Sequence, residues 1–583
     1  MDTKRLILFF VISAAIMLLW SLIWKGATPP KPPVTNNAGT TNPPPPPAAI
    51  TGYVDRILDF LKTGMHERLP EKAAVRDDIV LATKHLRATF TNVGAGLRKL
   101  ELLDYPKPGD IVVLLESLPG MGPSFALEDL NKIDAIGTDP WAVQSTADSI
   151  TFEITLKSGL KIRKHFTMVA DKHLLNVDVG LVNDTGRRID AKFDWHVARR
   201  IPNDSPYRAD GYLMGFRALY HGAPSFTPYS SVTKEPVGGA EPERDWYGVR
   251  NRYFAVAVMP RDSLRFESGW RVQKIPTADP VLDPSLELVL PVSVAVEREQ
   301  LFKFGIYGGP LEEPVLRSVD ERLVGLSSMS GGCFLFSWIV PWITKLLIWL
   351  MVTIGGVVKN FGVAIILTTL AVRLALFPLS RKSQISMAKY AEMQKALKPK
   401  MDILQKKYAD APDKMRQAQM ELFKEHGMSL FPVAGCLPIL LQLPVFIGMY
   451  SVFDQAIALR HQPFFGWITD LSESDHLLRL GGNGPILWLI PYDGWLNLLP
   501  IIMTLVWFLQ SYVQPKSPDP QMAQQQKIML FMPVFFGLMC YTLASGLSLY
   551  FLVNSLCGLA EQKLIKKLWL PKPDAAGPAP AKT

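Results

Sequence analysis

No aspartate or glutamate falls within four of the chain's long apolar runs, Leu6–Trp24, Pro432–Phe453, Trp495–Val513 and Ile528–Ala560. Cysteine is scarce too. The four in 583 residues, Cys333, Cys436, Cys540 and Cys557, lie in or beside apolar runs, which excludes a disulfide framework. There is no Gly-Lys-Ser/Thr phosphate loop, so ATP hydrolysis is not expected to drive this protein. No His/Cys/carboxylate spacing marks a metal site, and no cofactor or metal is expected. The net charge of +9 comes without an arginine-rich arm, zinc-finger spacing or RNA-binding motif, so no specific nucleic-acid partner is expected. The positive excess sits between and beside apolar runs, which points to an anionic membrane surface.

What the chain does have is a polar middle flanked by apolar ends. Its 48% hydrophobic residues and 20% charged residues suit a protein that is partly in and partly out of a bilayer. Residues 1–26 carry Lys4 and Arg5 ahead of Leu6–Trp24; 19 residues at ~1.5 Å each span roughly 28 Å, close to a hydrocarbon core. Without a small-x-small site after Trp24, this reads as an uncleaved signal anchor. Residues 27–50, with the run Pro43–Pro47, form a semi-rigid linker. Residues 51–325 alternate apolar and polar, as in Thr151–Lys157, a turn at Ser158-Gly159, then Leu160–Phe166. Leu174–Val182 and Tyr253–Met259 continue the pattern, which predicts a large antiparallel β-sandwich.

Beyond it, residues 333–353 are rich in Trp and read as an interfacial helix. Spans are expected at 355–380, 430–453, 495–513, 528–543 and 547–562, giving six with the anchor. The loop 381–428 is densely basic, whereas 454–494 carries only Arg460 and Arg479. The positive-inside rule makes the first cytoplasmic and the second exported. Both termini, the loop 514–527 and the tail 563–583 then lie in the cytoplasm, and the β domain lies outside. Within 381–428, Leu397, Met401, Leu404 and Tyr408, then Met415, Ala418 and Leu422, repeat at helical spacing on either side of Ala409–Asp413, which predicts a helical hairpin. Its methionines suit a surface that meets varied apolar ligands.

Arg373 interrupts the apolar run Phe361–Phe377. A charge at that depth is costly and marks a candidate site. With acids missing from the other runs, Arg373 is expected to have no counter-ion of its own within the membrane. The missing carboxylate is expected on something that passes through. Thr369 lies four residues back on the same helical face, and Gln442, Ser548, Tyr550, Phe551, Asn554 and Ser555 are candidates to line a common cavity with it. No catalytic residue is identified.

The stretches Asn360–Leu379, Gly435–Phe446, Gln526–Pro533 and Ser545–Phe551 resemble, in order, the arginine-bearing second span and later motifs of the YidC/Oxa/Alb family of membrane protein insertases. The resemblance covers about residues 355–565, and the anchor plus large exported domain looks like the Gram-negative form. It implies a polytopic α-helical membrane protein with six spans, a five-helix insertase core and a large periplasmic antiparallel β-supersandwich. It also implies a groove closed on the outside, whose arginine attracts acidic residues of a substrate tail. The activity implied is that of an insertase and membrane chaperone of the bacterial inner membrane. Its partners would be nascent membrane proteins, the lipid bilayer, the Sec translocon, the ribosome and the signal recognition machinery. Two other readings compete: a secondary transporter or channel with Arg373 as an anion site, and a membrane-anchored carbohydrate-binding protein.

Overall fold

A computed structural model describes residues 73–105, 111–130, 134–204, 213–220, 222–233, 236–239, 245–261, 269–277, 285–327, 339–408, 412–425, 433–482, 492–513 and 520–569. The expected signal anchor, the Pro-rich linker, Cys333 and the end of the tail lie outside the described residues. The chain divides into two compact units, Met1–Gly331 and Gly332–Thr583.

The first unit is built on antiparallel strands. A four-stranded meander comprises β1 (Ile79–Ala82), β2 (Leu86–Thr91), β3 (Gly96–Leu102) and β4 (Val112–Glu116). The chain continues through β5 (Ala126–Asp129), β6 (Ala142–Ser145), β7 (Ser149–Thr155), β8 (Leu160–Met168), β9 (Leu174–Asn183) and β10 (Ile189–Arg199). Then come β11 (Gly215–Tyr220), β12 (Ala223–Pro228), β13 (Val237–Gly239), β14 (Trp246–Arg250), β15 (Phe254–Pro260), β16 (Trp270–Lys274), β17 (Leu286–Val296) and β18 (Glu299–Pro310). A nine-stranded sheet runs β12-β11-β14-β15-β18-β9-β8-β7-β6, and a five-stranded sheet runs β13-β16-β17-β10-β5. A short helix, α1 (Glu313–Val319), follows.

The alternation read in the sequence explains the layers. On β10, Ala191, Phe193, Trp195 and Val197 are buried at period two, so one face of the strand meets the core. Trp195 packs on Phe304 of β18, ring centroids 4.8 Å apart, which brings the five-stranded sheet against the nine-stranded one. Phe90 of β2 packs likewise on Phe166 of β8 at 4.9 Å, and each such ring contributes roughly 1.5–3 kcal/mol by leaving water. The expected turn at Ser158-Gly159 is present. Gly159 has φ +85°, a conformation that L side chains avoid.

The second unit is helical: α2 (Val340–Val358), α3 (Phe361–Lys407), α4 (Pro412–Glu425), α5 (Val433–Gln455), α6 (Leu498–Val513), α7 (Pro520–Met539) and α8 (Ser545–Trp569). By length and composition, α2 and the part Phe361–Ser386 of α3 are apolar and long enough to cross a membrane, while Gln442–Phe453, Leu498–Tyr512 and Leu530–Met539 are shorter apolar helices. Helix α3 starts where the Asn360 side chain accepts from Val363 N–H, an N-cap. It does not end near Leu379, as the sequence suggested. Pro378 lies inside it and removes one backbone bond, but the Lys, Gln, Ala and Met residues that follow are strong helix formers. One helix therefore runs from the expected span into the expected hairpin. There Leu397 and Met401 pack with Leu422 of α4, so Met401 is core, whereas Met393 and Met420 are exposed.

Helix α2 buries Val340, Thr344, Leu347, Met351 and Gly355 against α3 and α5. Its other face exposes Trp342, Leu346 and Trp349. At the far end of the bundle, the segment after α5 folds back over the helix termini. Asp475 Oδ2 accepts from the backbone N–H of Leu498 and Leu499, capping α6. The N–H groups of Ser545 and Gly546 donate to the carbonyls of Glu473 and Leu471, which satisfies the start of α8.

Candidate functional site

Helices α3, α5 and α8 carry the side chains picked out in the sequence, and α8 packs against both α3 and α6. Arg373 projects from α3 toward α8. Its Nε donates to Asn554 Oδ1 at 2.7 Å and its Nη2 to the backbone carbonyl of Asn554 at 2.8 Å. Its Nη1 lies 3.4 Å from Glu561 Oε2, with side-chain exposures of 20% for Arg373 and 12% for Glu561. Ser380 Oγ donates to the same Glu561 oxygen at 3.3 Å. A guanidinium inside an apolar bundle is thus anchored on one edge and ion-paired on another, with part of its surface still open.

This corrects the expectation that Arg373 has no counter-ion of its own. Glu561 lies one residue beyond the acid-free run that ends at Ala560. The helix nevertheless continues to Trp569, and Asn554, Gly558 and Glu561 repeat at 4-3 spacing along one face. Side chains on a helix lean toward its N-terminus, which carries the carboxylate back toward the arginine. Gly558 lies beside the guanidinium, at ordinary contact distance. A Cβ there would lie 3.5 Å from Arg373 Nη2 and 3.4 Å from Gln510 Nε2. Glu561, Ser380, Gly558 and Gln510 were missed by sequence reasoning. The 4-3 spacing from Asn554 was the signal that pointed to the first of them.

The other candidates divide into separate groups. Thr369 does not join Arg373. Its buried hydroxyl donates to Ile365 O on its own helix at 2.7 Å, a local bond open to any helical threonine. Gln442 Nε2 donates to Tyr550 OH at 3.0 Å, tying α5 to α8. Phe551 stacks on Phe446, centroids 5.3 Å apart, and meets the edge of Trp507 at 5.3 Å. Trp507 Nε1 donates to Ser555 Oγ. Ser548 is fully buried, and its Oγ has no hydrogen-bond partner. Asn554 is therefore the one polar residue of α8, among those expected, that contacts the arginine directly. Chemically, the arrangement can hold and exchange a carboxylate. The described residues here include no nucleophile–base pair.

Two family models match the chain: the YidC periplasmic domain over residues 78–350 and the 60Kd inner membrane protein over residues 353–572. Among curated proteins, the membrane protein insertase YidC of Geobacter sp. is 30% identical over 517 residues, covering 85% of this chain and 86% of its own. That of Neisseria gonorrhoeae is 29% identical over 520 residues, covering 83% and 87%. A crystal structure of an active YidC insertase with its first transmembrane domain resolved matches at 18% identity and a TM-score of 0.33, covering 88% of this chain and 98% of the other. The order of motifs around Arg373 and the extent of the sequence matches lead to one assignment: this chain belongs to the YidC family of membrane protein insertases.

Proposed function

We propose that this chain inserts membrane proteins into the bacterial inner membrane, acting as an insertase and membrane chaperone without ATP. The observation that carries the reading is the partly open Arg373, anchored by Asn554 and paired with Glu561 at 3.4 Å. A carboxylate on a substrate's exported tail exchanges with Glu561 on the guanidinium. That exchange offsets part of the desolvation the tail would otherwise meet. The substrate's apolar segments then move to lipid along the outer face of the helices. The chemistry is capture and release, with no covalent step. Family membership does not favour the transporter or channel reading.

The same proposal includes six spans, a five-helix core, a β-supersandwich outside and both termini in the cytoplasm. One geometric relation supports the count. Arg373 and Ser380 on α3 meet Asn554 and Glu561 on α8, with a separation of seven on each helix, so the two run in the same direction. The second and sixth spans of such a topology must do so. The apolar face of α2 bearing Trp342 and Trp349 is assigned to lipid at the membrane interface. Nascent membrane proteins are the substrates. The Sec translocon, the ribosome and the signal recognition machinery are proposed as partners.

The test is reconstitution of the purified protein in liposomes with a small single-span substrate bearing an acidic exported tail. Protease protection of that tail in the absence of nucleotide is the expected result. Protection no greater than in protein-free liposomes would overturn the proposal.

A further inference from the structure

The first unit brings together three side chains that nothing in the sequence placed side by side. His85 immediately precedes β2, Asp104 lies just after β3, and His173 immediately precedes β9. The meander holds the first two as neighbours, since Leu103 N–H donates to the His85 carbonyl at 2.8 Å. The nine-stranded sheet holds the third, with Gly308 N–H donating to the His173 carbonyl at 3.2 Å. At the rim, Lys84 pairs with Asp171 at 2.9 Å, tying the two turns together. The imidazoles of His85 and His173 lie 4.5 Å apart, and His85 Nδ1 shares a hydrogen bond with Asp104 Oδ2. One ring nitrogen from each histidine and a carboxylate oxygen of Asp104 all fall within 4.8 Å of one another.

Two polar atoms of this cluster are buried without a partner, His173 Nε2 and Asp104 Oδ1, and His173 is only 8% exposed. A buried polar group is normally satisfied, and an orphan in a native fold calls for an explanation such as an ion. We propose that His85, Asp104 and His173 form a binding site for a divalent transition-metal ion of the zinc class. Two imidazole nitrogens and one carboxylate make a donor set that zinc accepts, leaving a fourth position for water. Tetrahedral bonds of ~2.1 Å place ligand atoms ~3.4 Å apart, so the His85 and Asp104 side chains, 17% and 32% exposed, would have to close in slightly on binding. The bound ion would clip the meander (β2, β3) to the nine-stranded sheet (β9).

The experiment uses the full chain in detergent, freed of any purification tag, with its four thiols alkylated so that cysteine cannot compete. After dialysis against EDTA the protein is titrated with zinc chloride by calorimetry. One zinc per chain is expected, with affinity at least ten-fold weaker in Asp104→Asn and in His85→Ala. Both substitutions are at partly exposed positions rather than at the buried His173, so that folding survives. Hydrogen exchange should slow on β2, β3 and β9 when zinc is added to the wild type, but not to Asp104→Asn. No saturable binding in the wild type, or equal affinity in wild type and variants, would overturn the site and leave the cluster a hydrogen-bonded contact.

Discussion

Arg373 grips a single residue twice, its Nε on the Asn554 side chain at 2.7 Å and its Nη2 on the Asn554 backbone carbonyl at 2.8 Å. The guanidinium plane is thereby fixed, and Nη1 is left facing Glu561. Such a planar two-point grip is a property of arginine that lysine cannot reproduce.

Arg373→Lys should accordingly keep part of its activity, since it retains the charge but loses the grip. Arg373→Ala and Arg373→Glu should fail for substrates with acidic exported tails, and neutralising those acids should relieve the defect. A cross of these variants against acidic and neutral tails, at matched protein abundance, checks this. A defect of equal size for both tail types would mean that the arginine only anchors its helix.

Glu561 and Asn554 should act in opposite directions. Glu561→Gln removes the competitor for Nη1 and should raise cross-linking between the groove and an acidic tail. Asn554→Leu removes one hydrogen bond to a charged group, worth roughly 1.5–3 kcal/mol, and should lower it several-fold. Site-specific cross-linking of arrested nascent chains reads both effects; a fall in cross-linking with Glu561→Gln would refute the exchange.

Helices α6 and α7 depend on a glycine. A Cβ on Gly537 would lie 1.8 Å from Thr504 Oγ1 and 2.8 Å from Thr504 Cβ. Gly537→Val should force the helices apart at a cost of about 1–3 kcal/mol, lowering the thermal midpoint in detergent. Thr504→Ala in the same chain should recover part of the loss. An unchanged midpoint for Gly537→Val would mean the two helices do not pack this closely.

The β domain should show a pH signature at His196. Its Nδ1 lies 2.6 Å from Glu287 and its Nε2 3.3 Å from Glu128. Burial opposes its charging, but the two carboxylates win and raise its pKa above 6.5. The ion pair's contribution is therefore complete below pH 6.5 and is lost as pH rises through the raised value. On the acid side, the hydrogen bond from His196 is the main cause that holds Glu128 down at about 2, so its contribution fades only as pH falls from 4.5 toward 2. Hydrogen exchange on β10 and β17 should accelerate between pH 6 and 9, after correction for intrinsic rates. His196→Gln should remove most of that pH dependence; a variant with the wild-type profile would exclude this histidine.

Deletions should separate the units. Removing most of residues 55–310 is expected to leave insertion largely intact, while removing residues 385–425 should abolish it with the remaining helices folded. Insertion assays on stable, correctly targeted truncations decide each case. Normal insertion without 385–425 would rule out the hairpin as a receiving surface.

Much of this was legible in the chain because it depends on local pattern. Period-two alternation around Ser158-Gly159 specified β7, the turn and β8, since strand side chains alternate whatever surrounds them. Apolar run length and the depth of Arg373 were likewise readable, because lipid imposes the same requirement on any sequence. What the tertiary structure alone decided was partnership. Thr369 looked like a companion of Arg373 by spacing, yet its hydroxyl found a carbonyl four residues away on its own helix. Glu561, excluded by a run counted only to Ala560, proved to face the arginine because α8 continues past it and packs beside α3. His85 and Asp104 meet across the β2–β3 hairpin, but His173 joins them only where the meander comes against the nine-stranded sheet. Periodicity tells which face of an element is buried, but which residue of another element lies opposite depends on register and packing, and those are properties of the folded molecule.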